Sequence, residues 1–209
     1  VSSPQWIEFH MSRTRDLTSA ETDLFRIVTG GNLGISRDFY DHLGGSDESF
    51  TQWGAEDTEL GYRAFNAGGV LVPERRALAW HQGEGASGPD PAEKESQLQQ
   101  AHRLAHLIAE KGFRRSVAGR SFQVPMVTVA LDASGRSYED VADQVDGLLA
   151  STYHDLVVGV SVPAGHPDVV HIERQYGPAP RVLISDDLLA DVPDAAVRLE
   201  VPPLVRLWP

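Results

Sequence analysis

The 209-residue sequence contains no cysteine, which removes disulfides and thiolate metal ligands from consideration and suits a reducing compartment. It has no apolar run near the roughly 20 residues that a membrane-spanning helix needs. It does not open with a basic, apolar-cored leader; beginning at Val1, it reads as a fragment or a processed product. Lysine is scarce, so arginine supplies most of the 18 basic side chains against 30 acidic ones. The formal net charge of −12 argues against a nucleic-acid partner, because a phosphate backbone is repelled over most of such a surface. No repeat of fixed period is present. What remains is a globular chain long enough for one large core or two small ones. Its expected location is cytoplasmic, with any membrane association lying in regions outside this sequence.

Residues 1–28 alternate only weakly, and "MSRTRDLTSAETD" reads as a loop with a short turn; Arg13 and Arg15 there are more simply solvated than ligand-binding. "FRIVTGGNLGIS" predicts a strand, a glycine turn and a second short apolar segment. "SRDFYDHLGG" predicts a short helix with Ser36 as N-cap, and "AEDTELGYRAFNAGG" a longer one with Glu59 and Arg63 paired at i,i+4. "VLVPERRALAWHQGEG" reads as two short extended pieces ending in His81. A helix is then expected from Pro91, capped by Asp90, with Leu98, Ala101, Ala105 and Ile108 as its apolar stripe.

Beyond a basic, small-residue stretch at 113–125 the rhythm becomes strand–helix–strand. "PMVTVAL" and "DLVVGVSVP" are apolar strands of the kind found in covered parallel sheets, and "SYEDVADQVDGLLAS" between them opens with a capping box at Ser137 and Asp140. "VVHIER" and "RVLISDD" read as further short strands. The second half is thus expected to be α/β with a βαβ unit.

The stretch from Gly30 to Gly69 is unlike the rest, with paired glycines, a Trp53-Gly54 step and the acids Glu56, Asp57 and Glu59 close together. A helix starting near Ala55 directs free N–H groups and the positive end of its dipole toward whatever precedes it. Carboxylates in its first turn are stabilised, and one at the rim of a cleft can take a proton from an attacking hydroxyl. Trp53 offers a flat apolar face of the kind that sugar rings stack on. Acids at a helix N-terminus are favourable without any function, so residue chemistry alone leaves catalysis and simple helix stabilisation both open.

The order of motifs adds to this. Gly31-Asn32-Leu33, then Gly44-Gly45-Ser46-Asp47-Glu48-Ser49-Phe50, then Trp53-Gly54-Ala55-Glu56-Asp57 closely resembles the C-terminal catalytic segment of GT-A-fold nucleotide-sugar glycosyltransferases. The likeness is to the galactosyltransferase-type module shared by β-1,4-galactosyltransferases, polypeptide N-acetylgalactosaminyltransferases and bacterial chondroitin-type synthases, and it covers roughly residues 25–85. The resemblance implies that Asp57 is the general base, with Glu56 beside it as an acceptor-side carboxylate pair. It implies that Trp53 and Gly54 line the sugar pocket, that Gly31 and Asn32 form a backbone turn near the donor, and that Arg63 orients the acidic helix through Glu59. It also implies a divalent metal, Mn²⁺ or Mg²⁺, with His81 where a family histidine ligand falls and the other ligands outside this fragment. Taken as a residue alone, His81 is equally well explained by packing or hydrogen bonding. His102 and His106 form an i,i+4 pair without a third ligand nearby and read as surface residues. The implied partners are a nucleotide-sugar donor, foremost a UDP-sugar, and a carbohydrate acceptor.

Too little chain precedes Gly30 to hold the Asp-x-Asp nucleotide-binding half of such an enzyme. The second half is similar, more weakly, to the start of another nucleotide-binding fold, but Val162-Pro163-Ala164-Gly165 stands where the family places an acidic turn. Asp132 ends the first strand where a nucleotide could reach it, and Asp186 and Asp187 are read as turn or cap residues. The expected fold class is α/β, made of GT-A parts. Residues 1–112 are the C-terminal half of a GT-A domain (motif core 25–85, helix 91–111), 113–125 a linker, and 126–209 a partial or degenerate nucleotide-binding-like domain. The expected function is that of a fragment of a bacterial polysaccharide-building enzyme: inverting transfer of a sugar from a nucleotide-sugar to a carbohydrate hydroxyl with Asp57 as base. The competing reading is a catalytically retired module that binds glycans or a protein partner. Less favoured are a permuted GT-A unit paired from the two halves and a hydrolase built on Asp186, Asp187 and histidines.

Overall fold

The apolar run at Val127–Asp132 is β1, the inner strand of a four-stranded sheet, and Leu156–Ser161 is β2 beside it. In this computed structural model residues 4–52, 54–80, 91–114, 117, 120–187, 191 and 195–202 are described. They divide into two compact units, Val1–Leu104 and Ala105–Pro209.

In the second unit, helix α5 (Tyr138–Leu149) follows β1, helix α6 (Val169–Tyr176) follows β2, and β3 (Val182–Ser185) and β4 (Val197–Val201) complete the sheet. Its order is β3-β2-β1-β4, with every pairing parallel; Val127 stands opposite both Leu156 and Val197. The chain therefore has the α/β class expected of it. The inner residues of β1 and the first five of β2 are buried, as strands covered on both faces must be, which is why they are continuous apolar runs rather than alternating ones. Leu131, Val141, Val145, Val158, Val160 and Ile172 are wholly enclosed in the core between sheet and helices. The Ser137 hydroxyl accepts the Asp140 N–H at 3.2 Å, so the expected cap on α5 forms.

Two differences from the sequence reading occur here. "VVHIER" is the body of α6 rather than a strand, because burying Ile172 and Tyr176, four residues apart, needs a helical repeat and outweighs the strand preference of its β-branched residues. Strand β4 has no counterpart in that reading; its first four residues are exposed, so it lacks the apolar run that marks β1 and β2. Within 113–125, Phe122 and the Arg114 side chain are buried, and Arg114 Nη1 donates to Asp155 Oδ2 at 2.6 Å, with those two side chains 1% and 4% exposed. Arg114 also donates to the carbonyls of Ala105 and Val124, and Asp155 Oδ1 accepts the Met126 N–H at 3.0 Å. The ion pair is thus desolvated but hydrogen-bonded on both sides, the condition under which a buried pair is tolerated.

The first unit has no strand among its described residues. It is built from α1 (Gln5–Arg13), α2 (Arg37–His42), α3 (Glu56–Asn66), most of α4 (Pro91–Leu107) and two 3₁₀ turns, Leu24–Ile27 and Gly30–Asn32. Helix α1 takes in Met11–Arg13, where a loop was expected, and buries Met11. The expected first strand of "FRIVTGGNLGIS" is instead the 3₁₀ turn at 24–27. With no neighbouring strand to pair with, this segment closes local bonds and buries Phe25 completely against α3, its ring 5.2 Å from Tyr62 and 6.1 Å from Phe65. Residues 70–80, expected as extended pieces, hold a turn closed by the Ala77 N–H on the Glu74 carbonyl at 3.0 Å and no strand. Along α4, Leu98 and Ala101 of the expected stripe face solvent while Gln100 and Leu104 are buried, since the helix docks partly through polar side chains. Asp90, its expected cap, lies outside the described residues.

Candidate functional site

Helix α3 brings the sequence-predicted acids together. Gly54 (φ +100°) and Ala55 (φ +78°) both adopt left-handed conformations just before it, which turns the chain abruptly into the helix. Glycine takes that geometry freely, whereas for Ala55 it costs about 1–2 kcal/mol. The N-cap Ala55 has no side-chain oxygen to satisfy the first N–H groups, so Glu56, Asp57 and Glu59 supply the negative charge of the first turn instead. At the other end, Gly68 (φ +85°) permits the Gly69 N–H to reach the Ala64 carbonyl at 2.8 Å and the Gly68 N–H that of Phe65 at 3.1 Å, closing the helix as a Schellman motif.

The three acids have different surroundings. Asp57 is half-buried; its Oδ2 accepts the Gly30 N–H at 3.0 Å and its Oδ1 the Thr58 N–H at 2.7 Å. Two N–H donors fix the plane of the carboxylate and leave lone pairs on both oxygens for a further proton donor. Glu56 Oε2 is enclosed and has no hydrogen-bond partner among the described residues. Glu59 is buried and grips Arg63 through two bonds, 2.6 Å to Nε and 2.7 Å to Nη2, as the i,i+4 spacing predicts. Arg63 Nη1 donates on to the Leu43 carbonyl at 2.6 Å, so this pair ties α3 to the end of α2. Its hydrogen bonds to the Glu59 carboxylate raise the pKa of the Arg63 guanidinium above its ordinary value.

Gly31 and Asn32 lie in the 3₁₀ turn next to Gly30, and Asn32 Nδ2 donates to the Ala77 carbonyl at 2.8 Å. The turn is thus held between α3 and the 74–77 turn by a side chain and a backbone amide. Trp53 and His81 lie outside the described residues. His102 and His106 are exposed, and the His106 ring stands 5.7 Å from Phe122. Asp132 accepts the Ser134 N–H at 2.8 Å, and the Asp187 N–H donates to the Ser185 hydroxyl at 3.0 Å, both local turn contacts. Arg13 pairs with Asp23 at 2.7 Å and Glu21 at 3.4 Å.

Sequence reasoning did not find the Gly30 amide on Asp57, the left-handed Ala55, or the role of α4 beside this site. A cavity of about 380 Å³ in the same unit lies on another side of α3, walled by Leu33, Ile35, Phe39, Leu60 and Val70 among others, and none of the first-turn acids lines it. Among the described residues, no three histidine or carboxylate side chains stand together as a metal site.

Comparison with known proteins bears on the same segment. A family model described as "N-terminal domain of galactosyltransferase" matches residues 10–75, which include the turn at Gly31, the Gly44-Gly45 motif and the acids of α3. Its description says N-terminal where the motifs suggested a C-terminal module; the residues matched largely coincide. Over 190 residues the chain is 28% identical to a chondroitin synthase of Escherichia coli, covering 86% of this chain and 26% of that one. It is 26% identical over 190 residues to a chondroitin synthase of Pasteurella multocida (strain Pm70) and to a hyaluronan synthase of Pasteurella multocida, in each case covering 87% of this chain and 19% of the relative. The chain thus spans about a quarter or less of the length of these relatives.

Proposed function

We propose that this chain supplies the acceptor side of a GT-A-type sugar-transfer site, a reading supported by the match of residues 10–75 to a galactosyltransferase family model and by the likeness to a chondroitin synthase. The reaction is transfer from a nucleotide-sugar, foremost a UDP-sugar, to a carbohydrate hydroxyl. The observation that carries this reading is the Asp57 carboxylate, held by the Gly30 and Thr58 amides at the N-terminus of α3 beside the unpartnered Glu56 Oε2.

In this reading the acceptor hydroxyl donates its proton to an Asp57 oxygen as it attacks the anomeric carbon of the donor. The new C–O bond forms while the bond to the nucleoside diphosphate breaks, and the diphosphate leaves with the bonding electrons. Attack opposite the leaving group inverts the anomeric configuration. Glu56, next to Asp57 in the first turn of α3, is the second carboxylate of the acceptor side. Gly54 and Trp53 border the sugar pocket, Gly31 and Asn32 shape the donor side, and Arg63 holds the acidic turn through Glu59. His81, with ligands from outside this chain, would hold a divalent ion, which would supply positive charge for the diphosphate.

In this proposal residues 1–112 are the acceptor half, 113–125 the stretch between the halves, and 126–209 a partial or degenerate nucleotide-binding-like domain. The location we propose is the cytoplasm, with any membrane association lying in regions outside this sequence. Among the described residues no helix is long and apolar enough to cross a bilayer.

The test is transfer from a panel of UDP-sugars with Mn²⁺ to chondroitin- and hyaluronan-type oligosaccharides. Asp57→Asn should lower turnover by about 10²–10⁴-fold, the usual contribution of a positioned general base, while donor binding measured by calorimetry is retained. Turnover unchanged in Asp57→Asn would falsify the assignment of the base and favour a glycan-binding module.

A further inference from the structure

The segment that leads into Gly54 is held by α4 through side chains at helical spacing. Arg103 Nη1 donates to the Ser49 carbonyl at 2.6 Å, and its Nη2 donates to the Ser49 hydroxyl and lies 3.4 Å from Asp47 Oδ2. Its guanidinium lies over the Phe50 ring, 4.0 Å from the centroid. One turn earlier, Gln100 Nε2 reaches the Gln52 carbonyl at 3.4 Å, and one turn before that Ser96 Oγ meets Gln52 Oε1 at 3.3 Å. Positions 96, 100 and 103 share one helix face, so α4 lies along residues 47–52.

The clasped segment also has internal bonds that set its shape. Asp47 accepts from both the Ser49 hydroxyl and the Ser49 N–H, the latter at 2.9 Å, and the Phe50 N–H reaches the Asp47 carbonyl at 3.1 Å. These bonds from Ser49, with the Arg103 charge adding to them, hold the Asp47 carboxyl below its usual range. Arg103 is suited to this place because a planar fork can serve a carbonyl and a hydroxyl at once while its face packs on an aromatic ring; lysine offers a point charge without that geometry.

We propose that Arg103 is a positioning residue of the sugar-transfer site: it fixes the 47–52 turn, which shortly precedes Gly54 and the first turn of α3, where the acceptor is received. This rests on the reading that α3 receives the acceptor. Asp57 is anchored independently by Gly30, so loosening the 47–52 turn disturbs acceptor placement more than proton transfer.

The exchange measurement uses the 209-residue chain with Arg103→Ala and Arg103→Lys, and the transfer assays use the same substitutions in an enzyme that joins this chain to a nucleotide-binding half. In Arg103→Ala, the Ser49, Phe50 and Thr51 amides should exchange with solvent about tenfold faster by NMR, while those of β1 and β2 keep their rates. In transfer assays the acceptor KM should rise about tenfold, with a smaller change in kcat, and Arg103→Lys should recover only part of both effects. If Arg103→Ala does not fold, Ser49→Ala, which removes one acceptor of the fork, should speed exchange at Phe50 and Thr51 in the same direction. Unchanged exchange at these amides in the folded variant overturns the proposal, as does full recovery by lysine. If transfer depends on Asp57 while Arg103→Ala leaves exchange and acceptor KM unchanged, the positioning role fails and the transfer reading stands. If exchange responds as expected but transfer is indifferent to Asp57, the anchor stands and the transfer reading fails.

Discussion

In residues 105–202 the structure is organised around apolar strands and two helices that enclose Leu131, Val158 and Ile172. In residues 4–104 the region around Gly30 and Asp57 is organised by polar contacts that reach far along the chain. Gly30 meets Asp57 across 27 residues, Asn32 meets Ala77 across 45, and Arg103 meets Ser49 across 54. A sheet core is tolerant of detail, because many similar contacts share the load. A site held by single hydrogen bonds to backbone carbonyls and amides depends on each partner, and that dependence is what gives Asp57 and the 47–52 turn defined positions.

The contrast is put under most stress in the second unit. Asp155→Ala leaves Arg114 buried without its carboxylate and removes the acceptor of the Met126 N–H, so it should cost about 3–5 kcal/mol. Denaturant unfolding reads the loss, and hydrogen exchange locates it: protection should fall first in β1 and β2. Equal loss of protection in α3 would mean that the two regions do not unfold separately. A smaller effect is expected in the first unit from Gly61→Ala. A methyl group there would stand 2.9 Å from the Val28 side chain and 3.0 Å from the Phe25 carbonyl, forcing α3 away from the 24–27 turn at about 1–3 kcal/mol. The same displacement should weaken the Gly30–Asp57 contact, so turnover should fall along with the melting temperature. The smallest effect is that of Ser137→Ala, which removes the cap on α5 and should lower stability by about 1 kcal/mol without altering transfer.

What could be read from the sequence obeys the same division. β1, β2, β3 and α5 were legible because apolar runs and a capping box are local signals, and α2 and α3 because Ser36 and the glycines at 68–69 mark their ends. α6 was not, since Val169, Val170 and Ile172 carry a strand preference that only burial of Ile172 and Tyr176 overrides. β4 was missed for want of an apolar run, and the 24–27 turn because its form depends on Phe25 finding α3. In the candidate site the acids were legible through the motif and the Glu59–Arg63 pair through its spacing. The Gly30 amide, the left-handed Ala55 and Arg103 were not, because each depends on partners or backbone angles that residue identity does not display.

Strand β4 has a further consequence. Among the described residues it is paired to β1 on one side only and ends the strand order, and Val197 and Leu199 are about half exposed. An unpaired row of backbone N–H and C=O groups flanked by apolar side chains is a template onto which another strand can add. Arg198 and Glu200 interrupt that row with charges of opposite sign 3.5 Å apart, so their net charge cancels and gives little like-charge repulsion against an approaching copy. At high concentration this margin is one at which the protein can associate with itself, and replacing Val197 or Leu199 with lysine is a change that would oppose such pairing.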